Sequence, residues 1–170
     1  MVRLAVFLGN PGGDYARTRH NAGWMVCEAL SFADSLVWQR KFSGMVASTG
    51  SLILLKPETL MNRSGESVGA CARYFRLGVE DLIVVHDDIE LPFGEVVVKS
   101  GGGLGGHRGL RDIVRVLGSG DFYRLRIGVS RPPHGEVASY VLSRFSKEEE
   151  ADIPALLAKA ARELESFLSR

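Results

Sequence analysis

The chain has 170 residues, 45% apolar and 24% charged, which is ordinary for a soluble globular protein and long enough for one domain with a sizeable core. Its formal net charge of +1 gives no global sign of a nucleic-acid partner. The first apolar run stops at Gly9, too short for a signal-peptide core, and no 18-residue apolar stretch follows, so we expect a cytosolic protein.

The first half of the chain alternates strand and helix patterns. Leu4 to Leu8 is an apolar run ended by Gly-Asn-Pro-Gly, which favours a buried strand that meets a sharp turn. Apolar residues at helical spacing then predict a helix, for which Asn21 is well placed as the N-cap. Residues 45–49 and 52–56 flank a Gly-Ser pair and are typical of a β-hairpin, and residues 68–75 predict a second helix.

The second half continues the alternation. Residues 82–85 predict another buried strand, which ends at the polar sequence His-Asp-Asp. Residues 96–99 predict a further strand, and a glycine-rich stretch follows it. A third helix is expected over residues 110–117 and a strand over residues 123–129.

The tail carries apolar residues at helical spacing over residues 153–168. Ser146 and Glu149 are spaced as a capping box, whereas Pro154 is expected to break or restart the helix near its beginning. Together the elements predict a single α/β domain over residues 1–170, with three layers and a mixed central β-sheet flanked by helices. Polar residues where strands end and helices begin are then the expected site.

Charge is segregated along the chain. Residues 80–95 hold six acidic residues and no lysine or arginine, whereas residues 99–131 hold seven basic residues against two acidic ones. A near-neutral protein with one basic third can bind phosphate locally. The alternative is a set of solvated helix and strand faces, and composition alone favours that alternative.

The sequence shows no motif for covalent catalysis. Cys27 and Cys71 lack metal-ligand spacing, and each falls on the apolar face of a predicted helix, which favours reduced core thiols over a disulfide. There is no P-loop and no G-x-S-x-G nucleophile elbow.

The sequence GGGLGG at residues 101–106 satisfies G-x-G-x-x-G, follows a predicted strand and precedes a helix. As a dinucleotide fingerprint it is weak, because the next strand does not end in an acidic residue placed for a ribose. A mobile glycine loop that lets a bulky ligand approach the backbone is the better interpretation. His107 and Arg108 would face that ligand, or else serve only as polar residues at a helix start.

A metal site would combine five residues. They are His20, His86, Asp87, Asp88 and His107. No pair has the tight spacing of a zinc site, and the side chains of Asp87 and Asp88 alternate in direction if the strand continues, so the sequence disfavours metal.

A mechanism that activates water remains. A histidine such as His20 can take a proton from water if a partner, for which Asp87 is a candidate, fixes its tautomer. Asn10 and Asn62 are candidates to donate amide hydrogens to a carbonyl oxygen. Spacing alone does not bring these residues together, and a lone His20 is more often structural or merely exposed.

Several motifs occur in one order. They are GNPG, Tyr15, TRHNAG, MNRSG at residues 61–65, HDDIELPFG at residues 86–94, GGGLGGHRGLRD and RLRIGV. The series resembles the bacterial peptidyl-tRNA hydrolase family from about Leu4 to Leu142, and this number of separate motifs at compatible spacing is highly specific. The resemblance implies an enzyme that cleaves the ester between a peptide and the 3′-terminal ribose of tRNA, and so recycles tRNA released from ribosomes.

The resemblance also implies roles for individual residues. His20 corresponds to the general base for water, and Asp87 to the residue that orients it. Asn10 and Asn62 correspond to residues that hold the substrate near the ester. The other implied pocket residues are Tyr15, Asn21, Met61 and His107, the last on the side of the glycine loop.

Binding and partners follow from the same resemblance. Lys99 and Arg126 match the basic positions used against the tRNA phosphate, and contacts of this kind position a substrate without reading its sequence. The implied partner is peptidyl-tRNA, through its acceptor end and nascent peptide. No metal or organic cofactor and no membrane is implied, and we expect a monomer.

Two positions depart from the family pattern. Arg108 stands where asparagine is usual, so the substrate contact of that asparagine is in doubt, although a guanidinium can bind phosphate or stack on a base. Leu104 replaces a common histidine. Many members continue with a short segment beyond the C-terminal helix, so Arg170 is either the natural end or the end of a shortened chain.

Two alternative functions stay open. One is an RNA-binding relative that has lost catalysis, against which the retention of Asn10, His20, Asn62 and Asp87 argues. The other is a metal-dependent phosphodiesterase that uses the histidines and aspartates, which insensitivity to EDTA would exclude.

Overall fold

A computed structural model describes residues 1–170 and contains seven strands and five α-helices. The strands are β1 (Leu4–Phe7), β2 (Gln39–Lys41), β3 (Gly44–Thr49), β4 (Leu52–Pro57), β5 (Leu82–Asp88), β6 (Val96–Ser100) and β7 (Tyr123–Gly128). The helices are α1 (Ala22–Glu28), α2 (Ser64–Phe75), α3 (Arg108–Leu117), α4 (Val137–Val141) and α5 (Lys147–Leu168). Every strand and long helix expected from the sequence is present, and β2 and α4 are additional.

The strands form one mixed sheet in the order β2-β3-β4-β1-β5-β7-β6. The four inner strands β4, β1, β5 and β7 are parallel, and the strands outside them run antiparallel to their neighbours. The chain leaves β1 and returns beside it on both sides, as β4 and later as β5. The carboxyl end of β1 is therefore a topological switch point, where open α/β sheets bind their ligands.

Helices cover both faces of the sheet. In β1, Ala5 and Phe7 pack against α1 and α5, whereas Leu4 and Val6 pack against α2 and α3. The alternation follows from the two-residue period of a strand, and the wholly apolar sequence of β1 follows from its burial on both faces. This arrangement confirms the predicted three-layer α/β fold with a mixed sheet. None of the helices has both the length and the apolar character needed to cross a bilayer.

The two cysteines lie in different layers. Cys27 packs with the α1 and α5 layer and Cys71 with the α2 and α3 layer, so the sheet separates them. Burial raises the pKa of each thiol to about 12. Both are reduced core thiols, as predicted.

The expectation that Pro154 interrupts the last helix is wrong. Helix α5 runs from Lys147 to Leu168 with Pro154 inside it, and the capping box between Ser146 and Glu149 is present, with bonds of 2.8 and 3.1 Å. Pro154 lies on the exposed side, where water can satisfy the carbonyl that loses its donor, while Ile153 and its helical neighbours stay packed on the sheet.

Gly23 lets helix α1 approach the strand ends closely. A Cβ atom at this position would lie 2.6 Å from the carbonyl oxygens of Leu8 and Val85, far inside van der Waals contact. The turn that precedes α1, which carries His20, therefore lies directly over the carboxyl ends of β1 and β5.

Candidate active site

A cavity of about 360 Å³ opens at the carboxyl ends of β4, β1 and β5. Eight of the residues predicted for the site line it. They are Asn10, Tyr15, His20, Met61, Asn62, Asp87, His107 and Arg108. Asn10 follows β1, Asp87 is the penultimate residue of β5, and Met61 and Asn62 begin the 3-10 helix (Met61–Arg63) that follows β4. The parallel sheet thus brings together side chains that are far apart in sequence.

Asp87 binds two histidines at once. Its carboxylate oxygens lie 2.9 and 3.0 Å from Nδ1 of His20, and Oδ1 also lies 3.0 Å from Nε2 of His107. The two imidazole rings are tilted against each other, with centroids 4.8 Å apart. All three side chains are buried.

These contacts fix the tautomers. His107 occupies the N-cap position of α3, and its Nδ1 accepts bonds from the backbone N–H groups of Gly109 and Leu110, so the proton of the neutral ring is on Nε2 and is donated to Asp87. An ionised Asp87 is an acceptor only, so Nδ1 of His20 also donates to it. The Nε2 atom of a neutral His20 then carries a lone pair and makes no hydrogen bond within the protein.

The electrostatics of this cluster keep Asp87 ionised, as its role as acceptor of both histidine N–H groups requires. Burial opposes ionisation of Asp87, but the charges and hydrogen bonds of His20 and His107 outweigh it and hold the pKa of Asp87 well below its usual range. Burial also acts to lower the pKa of His20, but the charge and hydrogen bond of Asp87 outweigh it, so this pKa is raised. The charge of Arg108 acts in the opposite direction on His20.

Asn10 is held with its amide group oriented. Its Oδ1 accepts the backbone N–H of Met61 at 2.7 Å, which leaves Nδ2 as a donor. Its backbone N–H donates to Oδ1 of Asn21 at 2.9 Å, and Nδ2 of Asn21 donates to the carbonyl of Asn10 at 3.0 Å. Asn10 is thus fixed to both neighbouring segments of the site.

One expectation for Asn21 is confirmed and another is wrong. Asn21 stands at the N-cap position of α1, but its side chain makes no capping hydrogen bond, because the amide is used by Asn10. It is also fully buried and does not line the cavity, so it has no surface for a direct substrate contact.

The remaining cavity residues differ in accessibility. Asn62 and Arg108 are exposed, Tyr15 is half-buried, and Met61 is buried beneath them. Arg108 is the first residue of α3, directly after His107. Neither Asn62 nor Arg108 makes a side-chain hydrogen bond, so both are available to a ligand.

Arg19 is a site residue that the sequence did not single out. It is buried beside His20, and its guanidinium donates to the carbonyls of Tyr140 and Arg144, to Oγ of Ser143 at 2.6 Å and to Glu149 at 2.9 Å. It also stacks on the Tyr140 ring at 3.9 Å. Arg19 therefore ties the His20 turn to α4 and to the start of α5. Its place inside the TRHN motif was the only signal.

Lys99 and Arg126 lie apart from the main cavity. They line a second cavity of about 130 Å³ under the glycine loop, together with Arg124. Lys99 is exposed and unpaired, whereas Nε of Arg126 binds Asp88 at 2.8 Å. Arg131 likewise pairs with Glu90. The acidic and basic segments of the sequence thus partly neutralise each other in space.

Arg124 holds the glycine loop, residues 101–106, beside this second cavity. Arg124 is buried, and its guanidinium donates to the carbonyl of Gly103 and, at 2.8 Å, to the carbonyl of Gly120. Gly101, Gly102, Gly105 and Gly106 all have positive φ, between 58° and 100°, which only glycine adopts freely. The glycines are therefore needed for the loop shape itself.

His86 lies between the two cavities and lines both. Its Nδ1 donates to the carbonyl of Asp87 at 2.8 Å, and its buried Nε2 has no partner. Burial and the charge of His107 lower the pKa of His86 to about 4, so the ring stays neutral. The sequence placed this residue only in the metal alternative.

The fold brings together three side chains that could bind a metal ion, although their spacing in the sequence did not indicate this. One ligand atom from each of His20, Asp87 and His107 lies within 4.8 Å of the others, whereas His86 and Asp88 stay outside this group. The ring nitrogens that face Asp87 carry protons in the arrangement described above. A metal there would replace both of these hydrogen bonds.

Comparison with known proteins gives one consistent result. The sequence profile of the peptidyl-tRNA hydrolase family matches residues 4–170. The chain is 54% identical over 162 residues to the peptidyl-tRNA hydrolase of Geotalea uraniireducens (strain Rf4), covering 92% of this chain and 84% of the relative. It is 50% identical over 161 residues to that of Geotalea daltonii, with the same two coverages.

A solved structure agrees with the sequences. The crystal structure of peptidyl-tRNA hydrolase from Acinetobacter baumannii superposes with a TM-score of 0.87 at 36% identity, covering 96% of this chain and 87% of the other. The family profile spans nearly the whole chain, and sequence and fold agree. This chain belongs to the peptidyl-tRNA hydrolase family.

Proposed function

We propose that this member of the family hydrolyses the ester between a peptide, or an N-blocked amino acid, and the 3′-terminal ribose of tRNA, with His20 as the general base. The observation that carries the proposal is the hydrogen bond from Nδ1 of His20 to Asp87, which leaves Nε2 as a free acceptor in the main cavity. A water molecule bound to Nε2 is the nucleophile.

The proposed reaction needs no covalent enzyme intermediate. Nε2 of His20 takes a proton from water while the water oxygen attacks the ester carbonyl carbon, and Asp87 stabilises the imidazolium that forms. The amide donors of Asn10 and Asn62 stabilise the negative charge on the carbonyl oxygen. The tetrahedral intermediate then expels the 3′ oxygen of the ribose, which takes the proton from His20. The products are a peptide carboxylic acid and tRNA with a free 3′ hydroxyl.

Binding outside the ester is proposed to supply selectivity for tRNA. Lys99 and Arg126 contact a tRNA phosphate in the second cavity, and Tyr15, Met61, His107 and Arg108 contact the acceptor end and the peptide in the main cavity. Asn21 acts indirectly, by holding Asn10. We further propose that the enzyme acts as a monomer in the cytosol.

The direct test is release of free tRNA from N-acetyl-aminoacyl-tRNA. We expect His20→Ala to lower kcat by roughly 10²–10⁴-fold, the usual contribution of a general base, while the circular dichroism spectrum is unchanged. His134→Ala is the matched control, because His134 is an exposed histidine outside both cavities. Full activity of His20→Ala would overturn the mechanism. Absence of release by the wild type, with tRNA still bound, would favour the RNA-binding alternative.

A metal-dependent phosphodiesterase is a second candidate because His20, Asp87 and His107 are clustered. The two functions differ in the bond that is cleaved and in the need for a metal. Dialysis against EDTA followed by assays of ester and phosphodiester cleavage separates them. We expect ester hydrolysis to survive EDTA, whereas loss of activity that Zn²⁺ or Mn²⁺ restores would support the second candidate.

A further inference from the structure

Three of the large hydrophobic side chains that the protein exposes line the same cavity. Leu60, Val137 and Leu142 are 56%, 37% and 43% exposed, and all three line the main cavity, whereas Met1, Val37 and Tyr74 lie elsewhere. A single exposed leucine needs no explanation, but several around one cavity indicate a surface that an apolar group covers.

The apolar residues come from separate segments of the chain. Leu60 precedes the 3-10 helix after β4, Val137 and Leu142 belong to α4 and its end, and half-buried Leu104 belongs to the glycine loop. No stretch of sequence is apolar enough to signal the wall they form, so the wall is a product of the fold. Polar residues, among them Asn10, His20 and Asn62, line the same cavity.

The position of the apolar wall is fixed relative to the base. Helix α4 has only five residues, too few to be stable alone, but Arg19 binds the carbonyl of Tyr140 in it and Oγ of Ser143 just after it. Arg19 is adjacent to His20 in sequence. The contacts of Arg19 therefore maintain the distance between His20 and the α4 part of the apolar wall. An ester carbonyl placed against Nε2 of His20 lies in the same cavity as this wall.

We propose that Leu60, Leu104, Val137 and Leu142 form a subsite for the side chain of the esterified amino acid, the C-terminal residue of the peptide, and that the subsite prefers apolar side chains. This inference rests on the proposed function. Among the residues of the peptide, the esterified one has its side chain nearest to the reacting carbonyl, because the Cα atom that carries it is bonded directly to the carbonyl carbon. Its side chain is therefore the group most closely tied to the cavity that holds His20.

A charged side chain held against these four residues would lose hydration without gaining a partner from them. None of the four residues carries a polar side-chain atom, and Leu60, Val137 and Leu142 remain partly exposed to water. We therefore expect a preference at the low end of what hydrophobic pockets give, about tenfold in kcat/KM for leucine or phenylalanine over aspartate or lysine.

The experiment uses one tRNA acylated chemically with N-acetyl-Leu, N-acetyl-Phe, N-acetyl-Asp or N-acetyl-Lys, so that the tRNA is constant. Each kcat/KM is divided by the spontaneous hydrolysis rate of the same ester, which removes differences in intrinsic reactivity. We expect the wild type to prefer the leucine and phenylalanine esters, and Leu142→Asn and Leu60→Asn each to reduce that preference. Val37→Asn, which changes a 76% exposed side chain outside the cavity, should retain the wild-type preference.

The outcomes separate this inference from the proposed function. Equal normalised kcat/KM values for the four esters, with release still dependent on His20, would overturn the subsite and leave the hydrolase function intact. A preference that survives unchanged in both Leu142→Asn and Leu60→Asn would also overturn it. Absence of release from all four esters would overturn the hydrolase function, and the subsite with it.

Discussion

Asn10 and Asn21 exchange two hydrogen bonds, at 2.9 and 3.0 Å, between the side chain of Asn21 and the backbone of Asn10. The pair joins the end of β1 to the turn that carries His20, and both residues are buried. Asn21 therefore supports the site from beneath, and its amide substitutes for the backbone partners that Asn10 would have in a regular strand.

Asn21→Ala should reduce both stability and activity. The substitution leaves a buried N–H and a buried carbonyl of Asn10 without partners, which costs about 1–3 kcal/mol for each group in free energy of unfolding. Urea unfolding and tRNA release measure the two effects. Asn62→Ala is the matched control, because Asn62 is exposed and should change stability by less than about 0.5 kcal/mol while activity falls. Equal stabilities for the two variants would contradict the role of Asn21.

Asp87→Asn should nearly abolish hydrolysis without unfolding the protein. The amide side chain can donate toward Nδ1 of His20, which favours the tautomer with the proton on Nε2 and removes the base. We expect kcat to fall by roughly 10²–10⁴-fold, with tRNA binding unchanged. A variant that keeps more than a tenth of wild-type kcat would show that Asp87 does not control the state of His20.

The elements of this fold were predictable because their causes are local. Wholly apolar runs predicted the strands that are buried on both faces. Ser146 and Glu149 predicted the start of α5, because a capping box depends only on two residues three positions apart. The effect of Pro154 was predicted wrongly because the low helix propensity of proline says nothing about how α5 packs on the sheet. Tertiary packing kept the helix continuous.

The site was only partly predictable, because its contacts join distant segments. His20 and Asp87 are 67 residues apart, and the resemblance to a family brought them together where spacing did not. Two contacts were not predicted. One is the hydrogen bond from His107 to Asp87, and the other is the anchoring of α4 by Arg19, for which the TRHN motif was the only signal. The N-cap position of Asn21 was predicted correctly, but the sequence carried no sign that its side-chain amide would bind the backbone of Asn10.

The pH dependence of kcat/KM should show an acidic limb set by His20. Its pKa is raised above the ordinary value of 6.5, and only the neutral ring accepts a proton, so kcat/KM increases as pH rises through this pKa and then levels off. The charge of Arg108 lowers the same pKa, so Arg108→Gln should move the limb to higher pH.

Arg108→Lys provides the control for this effect because it retains the charge. Profiles of kcat/KM between about pH 5.5 and 8.5 would bracket the ordinary histidine range. A limb that stays in place in Arg108→Gln, or moves equally in Arg108→Lys, would show that Arg108 does not act on His20 through its charge.

Loss of a phosphate contact should reduce the salt dependence of tRNA binding. We expect Lys99→Ala to weaken binding and to lower the slope of log K against log salt concentration by about 1, while kcat is retained. Arg126→Ala should weaken binding more, because it also frees the carboxylate of Asp88 beside the phosphate. Adding Asp88→Asn to Arg126→Ala should recover part of the loss.

Arg162→Ala is the control for these titrations, because Arg162 is exposed on α5 and lies outside both cavities. It should leave the slope as in the wild type. If Lys99→Ala and Arg126→Ala also leave it unchanged, the basic segment is a solvated surface and not a phosphate site.

Pro154→Ala should stabilise the protein without altering hydrolysis. Proline inside a helix lacks the N–H of one intrahelical bond and costs about 3 kcal/mol relative to alanine, and Pro154 is exposed, so the alanine meets no packing conflict. We expect a gain of about 1–3 kcal/mol in free energy of unfolding in urea, since part of the proline cost is offset by a stiffer unfolded chain. Asp152→Ala, an exposed change on the same helix that leaves the hydrogen-bond ladder intact, should stay within about 0.5 kcal/mol of the wild type. A Pro154→Ala variant no more stable than Asp152→Ala would mean that the helix already compensates for the missing bond.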